Sequence, residues 1–372
     1  MLHIGITGQT GFIGTNLHNF FRLKKEGVEC IPFEDHYFED HLRLEDFTRK
    51  CDVIIHLAAL NRHNDPQTIY DTNILLLNKL IKALDNTGSK PHILFSSSTQ
   101  EERDNMFGKS KREGRRLLAS WAEKNNTPFT GLVIPNVFGP FGNPYYNSVI
   151  ATFSHQLTHY ENPKVEIDAQ LNLIYIGELA DIIYELICNK TSDPEFKVPH
   201  TDEIRVSEIL ELLKGYKSDY YEKGIIPDIS TPFKRNLFNT FVCYIDIPSH
   251  FPVKLNLNTD ERGSFVETMR VNNGGQTSFS TTRPGVTRGN HFHTRKAERF
   301  AVIRGKAKIQ LRRIGTDQIL NFELDGKEPS YVDMPVWYTH NITNTGDEDL
   351  YTIFWINEFF NPEDPDTYFE KV

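Results

Sequence analysis

Four residues in the last third of the chain have the types and spacing of a metal site. His291 and His293 are two positions apart, so on a β-strand both side chains point to the same face. Glu298 can return to that face from the next strand, and His340 can supply a fourth ligand. Three imidazoles and a carboxylate suit zinc, and also iron, nickel or manganese. The spacing predicts a metal centre, with Zn²⁺ as the expected ion.

A glycine-rich segment lies near the N-terminus, where the chain reads GITGQTGFIG. Its glycines fall between a predicted strand and a predicted helix, so the backbone can approach a pyrophosphate held at the positive end of that helix. The alternative is a plain glycine-rich turn. The predicted cofactor-binding residues are Gly8, Thr10, Gly11, Phe12, Ile13 and Gly14, with Leu57, Ala58 and Ala59 from a later segment.

The glycine spacing G-x-x-G-x-x-G resembles that of the extended short-chain dehydrogenase/reductases. Two later segments, HLAA at 56–59 and NVFGP at 136–140, are similar to landmarks of the same family, and the resemblance covers roughly the first two thirds of the chain. It implies a Rossmann-type domain that binds NAD(P). We expect Asn136, in the second landmark, to bind substrate. The segment CIPFEDH after the second predicted strand leaves the choice between NADP and NAD open.

The same resemblance implies a carbonyl-reducing site made of a Ser or Thr, a Tyr and a Lys. Lys111 matches the Lys, which also contacts the cofactor, and Ser98 or Thr99 matches the hydroxyl. Phe107 stands where Tyr belongs, and no Tyr lies between residues 71 and 144. A phenol has a pKa of about 10, which a nearby ammonium lowers towards working pH. Without that acid we expect an impaired reductase, either naturally idle or, as we favour, altered by deliberate replacement.

The metal-site segment resembles the cupin family. The spacing G-x5-H-x-H-x4-E-x6-G from Gly285 to Gly305 is that of the first cupin motif, and P-x4-H-x3-N from Pro335 to Asn344 matches the second. One departure is Trp337, which stands where the second motif usually has glycine.

The segments DERGSFVE and GVTRGNHFH resemble dTDP-4-dehydrorhamnose 3,5-epimerase, a cupin that moves protons beside a ketone. The resemblance places His291 on the catalytic base, and Arg262 and Arg288 in substrate-binding stretches. One nitrogen of His291 cannot be a metal ligand and a free base at once, so the two roles are alternatives. Tyr338 and His340 are further candidates for proton transfer, and surface salt bridging is the alternative for the arginines.

The elements that must position these residues change in kind along the chain. Apolar strand-like runs alternate with helix-length segments up to about residue 240, which predicts a doubly wound parallel sheet. Short β-rich runs with Gly, Pro and Asn follow, as in an all-β barrel. We therefore expect a reductase domain at 1–246 and a cupin domain at 250–372.

Composition excludes several classes of protein. A net charge of -9 argues against a nucleic-acid surface, and no apolar run approaches the roughly eighteen residues that cross a bilayer. The first residues lack the basic and long apolar segments of a signal peptide. We expect a cytoplasmic protein that binds neither nucleic acid nor membrane.

The order of the two parts resembles the bifunctional capsular polysaccharide synthesis enzymes, in which a reductase domain is fused to a cupin epimerase. NSVIATF at 147–153 and the tail NPEDPDTYFEKV extend this resemblance over essentially the whole chain. It implies a UDP-linked 4-keto-6-deoxy amino sugar as substrate, NADPH as cofactor and a homodimer. Two rival functions are a cupin epimerase on a non-catalytic reductase scaffold, and a nucleotide-sugar sensor, in which both catalytic sets would be decorative.

Overall fold

The computed structural model describes residues 1–24, 27–260, 263–266, 268–272 and 275–372, with side chains described outside 258–267. The chain divides into two compact units. The first consists of Met1–Val137 and Leu171–Glu203, and the second of Phe138–Gln170 and Ile204–Val372. The domain limits at 246 and 250 stay a prediction.

The first ten strands occupy the first 226 residues. They are β1 (Leu2–Thr7), β2 (Val28–Ile31), β3 (Val53–His56), β4 (His92–Ser98), β5 (Phe129–Ile134), β6 (Asn136–Phe138), β7 (Gln170–Tyr175), β8 (Asp193–Lys197), β9 (Asp202–Arg205) and β10 (Ile225–Ile226). Six of them form a parallel sheet in the first unit, in the order β2-β1-β3-β4-β5-β8. β3 is buried along its whole length, as expected for a central strand covered by helices.

Nine α-helices lie within the described residues. They are α1 (Phe12–Arg22), α2 (His41–Lys50), α3 (Pro66–Thr87), α4 (Met106–Asn125), α5 (Val149–Thr158), α6 (Ile176–Cys188), α7 (Val206–Tyr216), α8 (Pro232–Val242) and α9 (Ile247–His250). Side chains fix several of their ends, as where Asn105 accepts a hydrogen bond from the backbone N–H of Gly108 and so begins α4. Among the described residues, no helix is both long enough and apolar enough to span a membrane.

Apart from one parallel pair formed with β10, the strands of the C-terminal part of the second unit pair antiparallel. Its strands are β11 (Val253–Lys254), β12 (Leu257–Asp260), β13 (Gly263–Val266), β14 (Arg270–Val271), β15 (Gln276–Thr282), β16 (Thr287–Phe292), β17 (Glu298–Arg304), β18 (Lys306–Arg313), β19 (Ile319–Asp325), β20 (Ser330–Met334), β21 (Tyr338–Asn344), β22 (Leu350–Ile356) and β23 (Tyr368–Phe369). Two five-stranded sheets result, in the orders β11-β20-β17-β22-β15 and β19-β18-β21-β16-β23. The predicted fold class, a Rossmann-type parallel sheet followed by an all-β part, is confirmed.

A buried ion pair joins the helical and β-rich parts of the second unit. Arg299, on β17, donates to both carboxylate oxygens of Asp333, on β20, at 2.8 and 2.9 Å. The Tyr220 hydroxyl donates to the same carboxylate, and a further Arg299 nitrogen donates to the carbonyl of Gly224 at 2.8 Å. Because every charged atom has a partner, the network holds β17 in place, and with it the adjacent Glu298.

Candidate functional site

The glycine loop lies at the end of β1 and leads into α1. Gly8 has φ +69°, and a Cβ at this position would come 2.9 Å from the backbone of Ala58. A Cβ at Gly14 would overlap the carbonyl oxygen of Gly8 and lie 2.8 Å from Cα of Gln9. Both positions therefore require glycine, and the backbone folds tightly at the start of α1.

The start of α1 can bind an anion. Gly11 is its N-cap residue, and the first turn of the helix consists of Phe, Ile, Gly and Thr. The free N–H groups of such a turn and the helix dipole attract phosphate. The predicted residues Thr10, Gly11, Phe12 and Ile13 lie in this loop and turn. They fit the pyrophosphate of a dinucleotide.

The segment after β3 lies beside the glycine loop. The backbone N–H of Leu57 donates to the Thr7 carbonyl at 3.2 Å, and that of Ala58 donates to the Thr7 hydroxyl at 3.3 Å. Because β2 and β3 flank β1, the strand order reverses here, which is where open α/β sheets bind their ligands. The structure therefore brings Leu57, Ala58 and the adjacent Ala59 to the predicted cofactor crevice.

An acidic residue stands beside the same crevice. The Thr10 hydroxyl donates to the Asp35 carboxylate at 3.4 Å, and Asp35 lies just after β2. A carboxylate at the end of the second strand suits the ribose hydroxyls of NAD better than the phosphate of NADP. For the choice between NAD and NADP that the sequence leaves open, this contact favours NAD.

Lys111 and Phe107 lie next to each other on α4. The Lys111 ammonium donates to the Ser96 carbonyl at 2.8 Å and is almost fully buried. Burial lowers its pKa to about 8. Phe107 is half-buried in the first turn of the helix, and the Lys111 nitrogen is 5.6 Å from its ring centroid. The ammonium is thus placed to stabilise an anion beside an aromatic ring that carries no hydroxyl.

The two candidate hydroxyls near this pair differ in their surroundings. Ser98 is half-buried and accepts a hydrogen bond from the backbone N–H of Gln100 at 3.2 Å, so it caps the short 3-10 helix Thr99–Glu102. Thr99 is exposed. Ser98, at the end of β4, has the more restricted orientation of the two.

Asn73 supports this region and was missed by the sequence analysis. Its amide donates to the Ser110 hydroxyl at 2.9 Å, next to Lys111. It also accepts from the backbone N–H of Leu60 at 2.7 Å and donates to the Leu60 carbonyl at 3.1 Å. It therefore ties α4 to the segment after β3. A buried Asn within the apolar run of α3 was the available signal.

The four predicted metal ligands come together in the β-rich part of the second unit. One ligand atom from each of them lies within 4.8 Å of all the others. His291 and His340 are opposite each other on β16 and β21, whereas Glu298 begins β17 in the other five-stranded sheet. The Nε2 atoms of His340 and His293 lie 2.8 and 3.3 Å from the same Glu298 oxygen.

The buried atoms of this cluster fit a cation. Nε2 of His293, Nε2 of His340 and Oε2 of Glu298 are buried, and none forms a hydrogen bond with the described residues. Buried polar atoms without hydrogen bonds are costly, and one divalent ion can satisfy all three. Imidazole nitrogens and a carboxylate oxygen are a donor set for Zn²⁺. The residues therefore fit the metal that their spacing predicts.

The ionisation of Glu298 and the neutral form of His291 are consistent with this donor set, whereas without an ion the Glu298 carboxylate raises the pKa of His293. Burial opposes ionisation of Glu298, but the imidazoles of His293 and His340 beside its carboxyl hold the pKa of that carboxyl well below the usual range. Burial lowers the pKa of His291 to about 4. His291 is therefore neutral near pH 7, as both a metal ligand and a general base must be.

Asp366 orients the cluster and was also missed by the sequence analysis. Nδ1 of His293 contacts its carbonyl oxygen, which leaves Nε2 free for a ligand. The buried Asp366 carboxylate accepts backbone N–H groups from Thr294, Arg295 and Lys296 at 3.0 to 3.3 Å. The tail of the chain thus fixes the turn that follows His293.

Trp337 departs from the cupin motif in residue type but keeps a conformation that favours glycine. Its φ is +63°, and its backbone N–H donates to the His293 carbonyl at 2.7 Å. Its indole stacks with Phe292 at 5.6 Å between centroids. The aromatic contact offsets the strain of a bulky residue at positive φ.

Tyr338 lies two residues before His340 on β21, so both side chains point to one face of the sheet. Burial raises the pKa of its phenol to about 12, so the hydroxyl stays protonated near neutral pH. The backbone carbonyl of Tyr338 pairs with Nδ1 of His340 at 3.1 Å. Tyr338 thus has the protonation state that a proton donor needs.

The predicted substrate-binding residues have different surroundings. A bulge between Gly289 and His291 pairs Arg288 with Ile342 and His291 with His340. Ile342 and His340 share a face of β21, so Arg288 points to the same face as His291. Arg288 is exposed and donates to the Thr281 carbonyl at 3.2 Å.

Two other predicted residues complete the set. Asn136 is exposed in the first unit and donates to the Asn172 carbonyl at 3.3 Å. Arg262 lies outside the described residues.

Comparison with known families matches most of the chain. Residues 4–198 match the NAD dependent epimerase/dehydratase family, and residues 258–368 match the polysaccharide biosynthesis C-terminal domain. The first match contains the glycine loop and Lys111, and the second contains the four residues of the His–Glu cluster.

Several known proteins are similar to this chain. A UDP-2-acetamido-2,6-beta-L-arabino-hexul-4-ose reductase from Pseudomonas aeruginosa is 32% identical over 98% of this chain and 97% of its own length. The crystal structure of the capsular polysaccharide assembling protein CapF from Staphylococcus aureus is 34% identical, covers 100% of both chains and has a TM-score of 0.63. The spore coat polysaccharide biosynthesis protein SpsL from Bacillus subtilis is 28% identical over 30% of this chain and 82% of its own length.

Proposed function

The chain belongs to the NAD dependent epimerase/dehydratase family, and from that premise we propose that it is a bifunctional nucleotide-sugar enzyme of capsular polysaccharide synthesis. Its substrate is UDP-2-acetamido-2,6-dideoxy-β-L-arabino-hexos-4-ulose. The β-rich part inverts C3, and the parallel-sheet part then reduces the C4 ketone to give UDP-2-acetamido-2,6-dideoxy-β-L-talose, a precursor of UDP-N-acetyl-L-fucosamine. The convergence of His291, His293, Glu298 and His340 carries this proposal. It gives the β-rich part, which lies outside the epimerase/dehydratase match, a set of side chains that can act on the substrate.

The chemistry fixes the order of the two steps. The C3 proton is acidic only while C4 is a ketone, since the resulting enolate delocalises onto the C4 oxygen. Reduction of C4 removes this stabilisation. Epimerisation must therefore come before reduction, and the epimerase step needs no nicotinamide.

The β-rich part supplies the groups for proton transfer at C3. His293, Glu298 and His340, with or without His291, would hold a Zn²⁺ ion, which would supply Lewis acidity to the site. His291 is neutral and serves as the base if it is not a ligand. The protonated Tyr338 hydroxyl returns a proton to the opposite face, and His340 is the alternative donor only if it is not a ligand of the ion. Arg288, which points to the face of His291, and Arg262 bind the nucleotide portion.

The parallel-sheet part supplies the reductase site. The loop from Gly8 to Gly14 and the segment Leu57–Ala59 bind NADPH, which supplies the hydride when bound. Ser98 or Thr99 steadies the C4 oxygen, and Lys111 stabilises negative charge. Phe107 lacks the proton that the developing alkoxide requires, so this chain reduces C4 slowly. Asp35 beside the crevice makes NADH a necessary comparison in every assay.

Phe107 supports a second candidate function. A chain whose reductase site lacks its acid can act as a UDP-4-ketosugar epimerase, with the Rossmann-type sheet as a binding scaffold. In both cases we propose that the protein works in the cytoplasm as a homodimer.

A solvent-exchange experiment tests the proposal. The metal-loaded chain is incubated with the UDP-4-ketosugar in deuterated water, with and without NADPH or NADH, and the C3 deuterium content and the C4 alcohol are measured. We expect C3 exchange without a nicotinamide and little C4 alcohol with it. Absence of C3 exchange from the metal-loaded protein would sink the epimerase assignment. Rapid formation of the alcohol would show that position 107 is not the acid.

A further inference from the structure

An arginine at the end of one β-sheet has no charged partner among the described residues. Arg313 is the last residue of β18 and pairs with Tyr338, the first residue of β21. Its side chain is half-buried, and in the part of the chain that the structure describes its guanidinium forms neither a hydrogen bond nor an ion pair. It lies instead over the Phe141 ring, with Cζ 3.7 Å from the centroid. The guanidinium keeps its N–H groups available for a ligand.

The groups around Arg313 do not neutralise its charge. Cys243 is close enough for the Arg313 charge to affect it, but burial raises the pKa of its thiol to about 12. The thiol is therefore neutral near pH 7. A half-buried guanidinium without a neighbouring anion can bind an anionic ligand strongly, because the partial burial reduces screening by water.

Phe141 holds the guanidinium from a strained and anchored loop. Its φ is +67°, a conformation that a bulky side chain rarely adopts. The Tyr244 hydroxyl donates to the carbonyl of Gly142, the residue after Phe141, at 2.7 Å. This hydrogen bond anchors the loop. The Phe141 ring also lies 6.3 Å from that of Tyr338. Strain that the surroundings maintain in this way is concentrated at functional sites.

The sheet register places Arg313 beside the His–Glu cluster. On the paired strands β18 and β21, Arg313 lies opposite Tyr338 and Leu311 lies opposite His340. Alternate residues share a face, so Arg313 and His340 project to the same side of the sheet. Two residues along a strand span roughly 7 Å. A hexose bound at His340 can therefore extend its anomeric phosphate towards Arg313.

We propose that Arg313, oriented by Phe141, binds the diphosphate of the nucleotide sugar whose hexose lies at the His–Glu cluster. The planar fork of an arginine binds two phosphate oxygens at once, and the stacked ring holds that fork in one plane. This inference rests on the proposed epimerase function and names how its site recognises the nucleotide portion. Phe141 acts as a positioning residue.

Kinetics of C3 exchange test the subsite in the full-length, metal-loaded protein. We expect Arg313→Gln to raise KM for the UDP-4-ketosugar by about 10- to 100-fold, the usual worth of charged hydrogen bonds, with little change in kcat. In Arg313→Gln, KM for the 1-phosphate of the same ketosugar should rise less than KM for the UDP-4-ketosugar, because the 1-phosphate lacks one phosphate and the nucleoside. Arg313→Lys keeps the charge and should recover part of the affinity, and it replaces Arg313→Gln if that variant does not fold.

A matched control removes an arginine of the same part of the chain. Arg304→Gln loses an exposed side chain that pairs with Glu348, and it should leave both KM values unchanged. Phe141→Leu should raise KM for the UDP-sugar without moving kcat, because it frees the guanidinium without removing it.

A crystal structure with UDP separates this proposal from the proposed function. We expect phosphate oxygens within hydrogen-bond distance of Arg313. If the wild-type protein shows no C3 exchange but UDP occupies this position, the epimerase function is wrong and the subsite stands. A UDP-bound structure without a phosphate at Arg313, or an unchanged KM in Arg313→Gln, overturns the subsite.

Discussion

The ammonium nitrogen of Lys111 lies 5.6 Å from the centroid of the Phe107 ring. The same nitrogen donates to the Ser96 carbonyl at 2.8 Å, so β4 fixes its position from one side and the aromatic ring covers another. This is the arrangement in which a phenol would have its pKa lowered, because an adjacent ammonium stabilises the phenolate. The chain has kept the ammonium and lacks the phenol.

Restoring the phenol should restore proton transfer. We expect Phe107→Tyr to raise the rate of NADPH-dependent ketone reduction by about 10² to 10⁴, the usual contribution of a positioned acid. The measurement is NADPH oxidation in the presence of the UDP-4-ketosugar. Phe107→Leu is the control, since it changes the ring without adding a proton donor, and should give no gain. Equal rates in Phe107→Tyr and the wild type would show that residue 107 is not the acid.

The buried Lys111 should make stability depend on pH in alkaline solution. Its pKa is lowered from 10.5 to about 8, first because of burial, so the unfolded state binds more protons than the folded state between these values. The cost of burying the charge, about 3 kcal/mol, is fully present below pH 8 and is relieved as the pH rises to 10.5. Lys111→Met removes this dependence.

Urea unfolding at pH 7 and at pH 10.5 measures the effect. The wild type should gain about 3 kcal/mol relative to Lys111→Met between these two pH values. Lys109→Met removes an exposed lysine of the same helix and keeps Lys111. Its stability should therefore change between the two pH values by the same amount as that of the wild type. Parallel pH profiles for the wild type and Lys111→Met would contradict the assignment of a buried ammonium.

Local spacing was sufficient to predict the parts of the site that lie close together in sequence. The glycine loop forms within one strand-to-helix turn, so residue type and spacing determine where its glycines lie. The H-x-H-x4-E segment does bring its three side chains together, but not on two neighbouring strands as the spacing predicted. His293 follows the end of β16, and Glu298 begins β17 in the other five-stranded sheet. His340 was found from a second motif, and β21 does place it opposite His291. The domain order followed from the change in apolar pattern near residue 250.

Contacts between distant segments could not be predicted in this way. Asp366 reaches the turn after His293 from the end of the chain, and Phe141 reaches Arg313 across 172 positions of sequence, from 141 to 313. The bulge beside His291 also changes the alternation of β16, so counting by two places Arg288 on the wrong face. Register and loop closure are set by tertiary packing, and single-sequence periodicity carries no record of them.

The glycine loop should tolerate no side chain at Gly14. A Cβ there would overlap the Gly8 carbonyl oxygen and approach Cα of Gln9 to 2.8 Å, and neither backbone atom can move without displacing α1. We expect Gly14→Ala to weaken NADPH binding at least tenfold and to lower the stability of the chain by about 1 to 3 kcal/mol. Calorimetric titration and urea unfolding measure the two effects.

Gly215 provides a matched control for this substitution. It lies in α7, and a Cβ there would meet no atom within 4 Å. Gly215→Ala should therefore raise stability by roughly 0.5 to 1 kcal/mol and leave NADPH affinity unchanged. Unchanged NADPH affinity in Gly14→Ala would count against the loop as the cofactor site.

The His–Glu cluster should bind close to one divalent ion per chain, with zinc as the expected ion. His293 contributes a buried Nε2 that has no hydrogen bond with the described residues, and its other nitrogen is held by Asp366. A site of this kind stabilises the folded state directly, because the unfolded chain does not assemble it. We expect His293→Ala to lose the ion and to lower the unfolding temperature of the metal-loaded protein, and a chelator to lower that of the wild type similarly.

Elemental analysis and thermal unfolding with and without added Zn²⁺ check this expectation. His36→Ala removes an exposed imidazole and should leave both metal content and unfolding temperature unchanged. Chelator should then have little further effect on His293→Ala, since the ion that it removes is already absent. Metal-free protein from both the wild type and His293→Ala, even after incubation with Zn²⁺, would contradict the metal centre. His291 would then act as a free base at C3, which its neutral form already permits.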